Sequence, residues 1–190
     1  MKRLKIGANL NGTELAQVTK VLQASLSVEN FFTELREKKV HLRVLEKTVD
    51  QLVTIPSVTT RLVRSVDPDG RINDEASSKL HGIRQLIIKT EGEIRQQMAH
   101  YTNGKSAKYL SEPIVTVRND RFVIPVLARY RNKFGGVVHD QSASGQTLYI
   151  EPGAVMEDNN HLRQAQIEER QEVRRVLAEL SAMLAPYRQD

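Results

Sequence analysis

The sequence predicts a mainly α chain with a small antiparallel β insertion: a helical core, then two long antiparallel helices, labelled the lever helices below, carrying a β piece at their tip, labelled the clamp. Three observations predict it. Apolar residues recur at helical spacing along 79–101 and again along 154–184. Between them, 113–151 shows short β-branched and aromatic runs punctuated by Asn-Asp, Gly-Gly and Ser-Ala-Ser-Gly. Finally, 39% hydrophobic and 5% aromatic residues against 27% charged suit long solvent-washed helices better than a thick globular core. The division is then 1–73 helical core, 74–112 first lever helix and linker, 113–151 clamp, and 152–190 returning lever helix.

Each element has its own signal. Asn11 followed by Glu14 reads as a capping box. Leu15, Val18, Leu22 and Leu26 then share one stripe, and a second run follows through Phe32, Leu35 and Val40. Leu42, Leu45, Val49 and Leu52 form another amphipathic set, stopped by Ile55-Pro56. Ser57 is expected to cap a short helix through Leu62 and Val63. Asp67-Pro68-Asp69-Gly70 reads as a turn, with Val66 and Ile72 pairing briefly across it. Asn73 or Asp74 is expected to cap the first lever helix, where Leu80, Ile83, Ile87, Ile94, Met98 and Tyr101 repeat at near-heptad steps. Asn103-Gly104 would end it as a left-handed cap.

The returning helix places Val155, Asn159, Leu162, Gln166, Glu169, Val173, Val176, Leu180 and Leu184 on its seam. Matching seams predict antiparallel packing over roughly 40 Å, at ~1.5 Å per residue. The polar members Asn159, Gln166 and Glu169 leave two explanations open: a thin two-helix coil, or a seam completed by a further helix, with the second slightly favoured.

In the clamp, 114–118 and 121–126 read as a hairpin about the Asn119-Asp120 turn, with Phe122, Ile124 and Val126 on one face. Pro125 lacks a donor, which argues for an edge or a bulge there. Two further strands, Val137–Gln141 and 146–150, flank the small-residue turn. Arg118, Arg121, Arg129, Arg131 and Lys133 gather around one acid, Asp120, in a chain of net charge +5 and pI near 9.5. Clustered flexible cations are what phosphate neutralisation needs, and Tyr130 and Phe134 interleave for stacking. A solvated strand rim with gatekeeping arginines fits the pattern equally well. His139, Gln141, Ser142 and Ser144 are secondary candidates for polar contact.

Several function classes find no support. There is no cysteine, hence no disulfide framework or zinc ribbon. No run of eighteen apolar residues spans a membrane, and the basic start lacks the apolar region of a signal peptide, so a cytoplasmic protein is expected. His139-Asp140 near Ser142 and Ser144 does not make a triad, because strand neighbours point to opposite faces. Glu157 and His161, one helical turn apart, are two ligands without others, so no metal site is assigned. No G-x-x-x-x-G-K-[ST] or G-x-G-x-x-G loop is present, and no catalytic residue is assigned.

The runs VRNDRFVIPV, GGVVHDQSASGQTLYIEPGAV and NNHLR closely resemble the bacterial MutS paralogues of the second class, which bear a C-terminal Smr nuclease domain. RLKIGANLNGTELAQVTKVLQAS resembles, more loosely, the helical core that opens that family. The resemblance implies that 113–151 is a clamp carried by lever helices that join it to a dimeric ABC-type ATPase. It implies that ATP, magnesium and the Smr endonuclease belong to domains that would follow Asp190. It implies branched DNA in recombination suppression, or the rRNA of collided ribosomes, as partner, with a homodimer at full length. The alternative is an arm that only dimerises and transmits motion, without touching nucleic acid.

Overall fold

A computed structural model describes residues 9–40 and 42–187; residues 3–8 of the resemblance and His41 lie outside them. The chain divides into two compact units, one of residues up to His81 together with those from Gln171 onward, the other Gly82–Arg170. Both boundaries fall inside long helices.

The first unit is helical, and its local signals explain its elements. Helix α1, Gly12–Glu37, starts at the expected capping box. The Asn11 side chain accepts the Glu14 N–H at 2.8 Å, and the Glu14 carboxylate accepts the Asn11 N–H at 2.9 Å. The two apolar runs expected here form this one continuous helix. Helix α2 is Arg43–Val49 and helix α3 is Pro56–Ser65. Ser57 does not cap α3: the cap position is Ile55, and Pro56 opens the helix because a first-turn residue needs no N–H. The turn at Asp67 closes with the Gly70 N–H on the Asp67 carbonyl, and Val66 bridges Ile72 as expected.

Asn73 caps only a three-residue 3-10 turn, Asp74–Ala76. Helix α4, Ser78–Thr102, is instead capped by Ser77, whose hydroxyl accepts the Leu80 N–H at 2.9 Å. Helix α5 is Met156–Leu184. Leu10, Leu15, Leu62, Ile72, Leu80, Val176, Leu180 and Leu184 build the core of the first unit. Beside it, the buried Glu172 carboxylate accepts from Ser77 at 2.7 Å and from Arg175 at 2.7 Å. The Arg175 guanidinium, helped by Ser77, holds this carboxyl down at about 2 against the opposing effect of burial.

In the second unit α4 and α5 run antiparallel. Arg84 meets Glu169 at 2.7 Å, and further along α4, earlier along α5, Gln97 meets Asp158 at 2.6 Å. Gly104 follows α4 without adopting a left-handed conformation; a glycine is favoured there because a Cβ would lie 2.7 Å from the His100 carbonyl.

The second unit also holds the four-stranded antiparallel sheet, in the order β1-β2-β4-β3. Strand β1 is Thr116–Arg118, β2 Arg121–Leu127, β3 Val137–Gln141 and β4 Thr147–Glu151. Asn119 and Asp120 take φ of 52° and 60°, the left-handed pair that a two-residue hairpin turn requires. Pro125 lies in β2, a strand with neighbours on both sides, and pairs with Tyr149 of β4. It is tolerated because β1 pairs only with 121–123, and the carbonyl of Pro125 points away from β4 to accept the Ser111 N–H. The side of β2 that lacks the proline donor therefore faces the isolated Leu110–Val126 bridge and not a continuous strand. Phe122, Ile124, Val126 and Ile150 pack on Ile94 and Met98 of α4 and on Val155 and Leu162 flanking and within α5.

Candidate nucleic-acid interface

A buried carboxylate organises one side of the sheet. Glu151, at the end of β4, is 1% exposed. It accepts from Arg121 at 2.7 Å, from Asn159 at 2.8 Å and from His139 at 2.6 Å. Arg121 also donates to Asn160 at 2.6 Å. Asn159, fully buried on α5, accepts the Phe122 N–H at 3.0 Å and donates to the Phe122 carbonyl at 3.2 Å. This polar seam residue is thus occupied by the sheet, which pins the hairpin to the helix. Gln166 and Glu169 stay half-buried, and Glu169 holds Arg84.

The five cations singled out in the sequence divide by this geometry. Arg121 is committed to Glu151 and Asn160. Arg131 donates to the carbonyls of Phe134 at 2.7 Å and Gly136 at 3.0 Å, closing the loop that leads into β3. A charged donor spent on internal acceptors has little left to offer a phosphate. Arg118 lies over the Tyr149 ring, 4.1 Å from its centroid, and meets Asp140 at 3.4 Å. Arg129 and Lys133 are exposed, and neither has an acidic partner among the described residues. Both stand on the 3-10 segment Ala128–Lys133 that follows β2.

The secondary candidates divide in the same way. A register shift between Val138 and Asp140 turns His139 inward onto Glu151 and leaves Asp140 outside. His139 is therefore a partner of the buried carboxylate. Ser142 accepts the Thr147 N–H at 3.1 Å through its hydroxyl, which lies 3.3 Å from that of Ser144. Gln141 and Ser144 are exposed at the turn.

One contributor was invisible in the sequence. Tyr109 stacks edge-on against Tyr130 at 4.9 Å, bringing the segment after α4 onto the same rim. Lys108 lies over the Tyr109 ring at 5.1 Å and Arg129 over the Tyr130 ring at 5.0 Å. The available signal was the Lys105–Lys108–Tyr109 spacing in the linker, which mirrors the basic-aromatic interleaving at Arg129–Tyr130. The result is a tyrosine pair carrying two cations, with Lys133 nearby in sequence.

A small antiparallel sheet seated on two antiparallel helices, with unpaired cations along its rim, defines a helix-mounted β cap. Known relatives specify its lineage. The chain is 57% identical over 188 residues to Endonuclease MutS2 of Latilactobacillus sakei and 58% identical over 187 residues to that of Levilactobacillus brevis. To Endonuclease MutS2 of Enterococcus faecalis it is 52% identical over 190 residues. These alignments take in 98–100% of this chain and 24% of each relative. The chain is homologous to a segment of about a quarter of the length of these MutS2 proteins. No protein-family profile matches it.

Proposed function

We propose that the β cap is the clamp of a lever-and-clamp region and contacts nucleic-acid backbone without reading bases. The observation that carries this reading is the exposed, acid-free pair Arg129 and Lys133 beside the Tyr109–Tyr130 stack. Lys108 extends the set, and Gln141, Ser142 and Ser144 supply polar contacts at the neighbouring turn. Cations of this kind bind by releasing counterions, so the affinity carries a steep salt dependence and little sequence preference. Branched DNA or structured ribosomal RNA is the partner class, met by a cytoplasmic homodimer at full length. The region itself is non-catalytic. ATP and magnesium chemistry needs a phosphate-cradling loop absent from these 190 residues, so it is assigned with the Smr endonuclease to other parts of the longer protein.

The test is binding of a labelled four-way DNA junction and of an RNA hairpin at several salt concentrations. With Arg129→Glu and Lys133→Glu combined, the salt slope is expected to fall by about two, one for each lost phosphate contact. An unchanged slope removes these residues from the account. A second reading, a purely dimerising arm, is favoured by Leu86 and Ile88 of α4, which are exposed apolar side chains. It predicts self-association on sedimentation with no shift when the junction is added.

A further inference from the structure

The hairpin tip reaches across to the bulged edge strand. Asn119 donates to the His139 carbonyl at 3.0 Å, and Arg118 crosses the Tyr149 ring to meet Asp140 at 3.4 Å. The two charged partners are both partly open to solvent, 38% and 47% exposed as side chains. Their roles differ from those of half-buried Arg121 and buried Glu151. The Arg118 guanidinium is held over an aromatic face, with Nη1 on its own strand's Val117 carbonyl at 2.9 Å and its Nε towards the Asp140 carboxylate. The other Asp140 oxygen accepts the Gln141 N–H at 2.8 Å. Without the carboxylate, Arg118 would be a pre-oriented, exposed cation on the same sheet as the proposed interface.

We propose that Asp140 is the specificity-determining residue of that interface: it occupies Arg118 as an internal stand-in for phosphate and is displaced when a nucleic-acid backbone docks. The inference rests on the proposed nucleic-acid reading. A phosphate competes successfully because it offers several strong acceptor oxygens, whereas Asp140 makes a single ion-pair contact at 3.4 Å, longer than a charge-assisted hydrogen bond. The exposure of both partners keeps the contact weak and screened, so exchanging it costs little. Tyr149 keeps the guanidinium in place through the exchange, since cation–ring attraction does not depend on Asp140. Asp140 thereby raises the threshold for weak or sparsely charged ligands and leaves dense phosphate arrays able to bind.

The experiment uses Asp140→Asn, Arg118→Gln and the double variant, each titrated with a labelled four-way DNA junction at about 50 and about 200 mM salt. Asparagine keeps the oxygen that accepts the Gln141 N–H and removes only the charge. Asp140→Asn is expected to bind about fivefold more tightly at the lower salt, with an unchanged salt slope if Arg118 is already displaced in the wild-type complex. Arg118→Gln is expected to abolish this gain, so that the double variant binds like Arg118→Gln alone. An equal gain in the Arg118→Gln background would show a diffuse charge effect and overturn the inference. So would wild-type binding that depends on Arg129 and Lys133 yet ignores Asp140→Asn, while the proposed interface would stand. No binding by either wild type or Asp140→Asn would overturn both.

Discussion

Replacing Glu151 by alanine should separate the buried ion pair from the surface ones more clearly than any other single change. Three donors converge on that carboxylate at 2.6–2.8 Å, and its side chain is 1% exposed. Its removal leaves Arg121, 16% exposed, with only the Asn160 amide, and leaves one Asn159 amide hydrogen without its acceptor while the other stays on the Phe122 carbonyl. Breaking a buried pair by deleting one partner costs about 3–5 kcal/mol, because the other charge stays desolvated. The pair Arg36 and Asp50 provides the contrast: it has an equally short 2.6 Å contact, but its side chains are 43% and 63% exposed. Asp50→Ala should therefore cost less than about 1 kcal/mol. Urea unfolding followed by tyrosine fluorescence suits the test, since Tyr101, Tyr109, Tyr130 and Tyr149 report on the second unit, Tyr187 reports on the first, and there is no tryptophan. Equal losses for the two alanine variants would refute the argument that burial, and not distance, sets the worth of these pairs.

Three further outcomes follow from the same geometry. Glu172 has a folded-state value of about 2 against an ordinary 4.5, so its contribution is fully present above about pH 4.5 and is lost as pH falls through about 2. With Arg175 half exposed, that contribution is on the order of 2 kcal/mol, and Glu172→Gln should flatten the acid limb of a stability-versus-pH curve by that amount. Gly136→Ala should cost about 3 kcal/mol or more in the same urea experiment, because a Cβ would collide with the Glu151 carbonyl at a φ of +117°. Ser65→Ala should be neutral or stabilise by up to about 1 kcal/mol, since its buried hydroxyl has no hydrogen-bond partner among the described residues; a clear loss on thermal melting would reveal a bond to bound water.

Much of the fold was legible because the chain announces its boundaries locally. The Asn11 capping box, the Asn119-Asp120 turn and the 137–141 strand are all set by residues within a few positions of one another. The misreadings occurred where two local signals competed. Ser57 and Asn73 are good cap residues by type, yet Pro56 and Ser77 occupy the decisive positions. The site was less legible, because the sequence reports how many cations are present but not which are already committed. Arg121 and Arg131 look like Arg129 in the chain; only long-range packing onto Glu151 and the loop carbonyls distinguishes them. Lys108 was hidden for the converse reason, since its place depends on one ring contact between distant segments. Asn159, a polar interruption in a helical seam, proved to be a backbone-reading amide whose partner lies 37 residues earlier.

That amide works as a gear tooth. With two of its hydrogen bonds on the backbone N–H and C=O of Phe122, any rolling of α5 about its long axis must either carry the hairpin with it or strip the tooth. Inserting a single residue just before Asn159 would swing the amide about a quarter-turn around the helix, and the strand would lose this side-chain grip on its backbone.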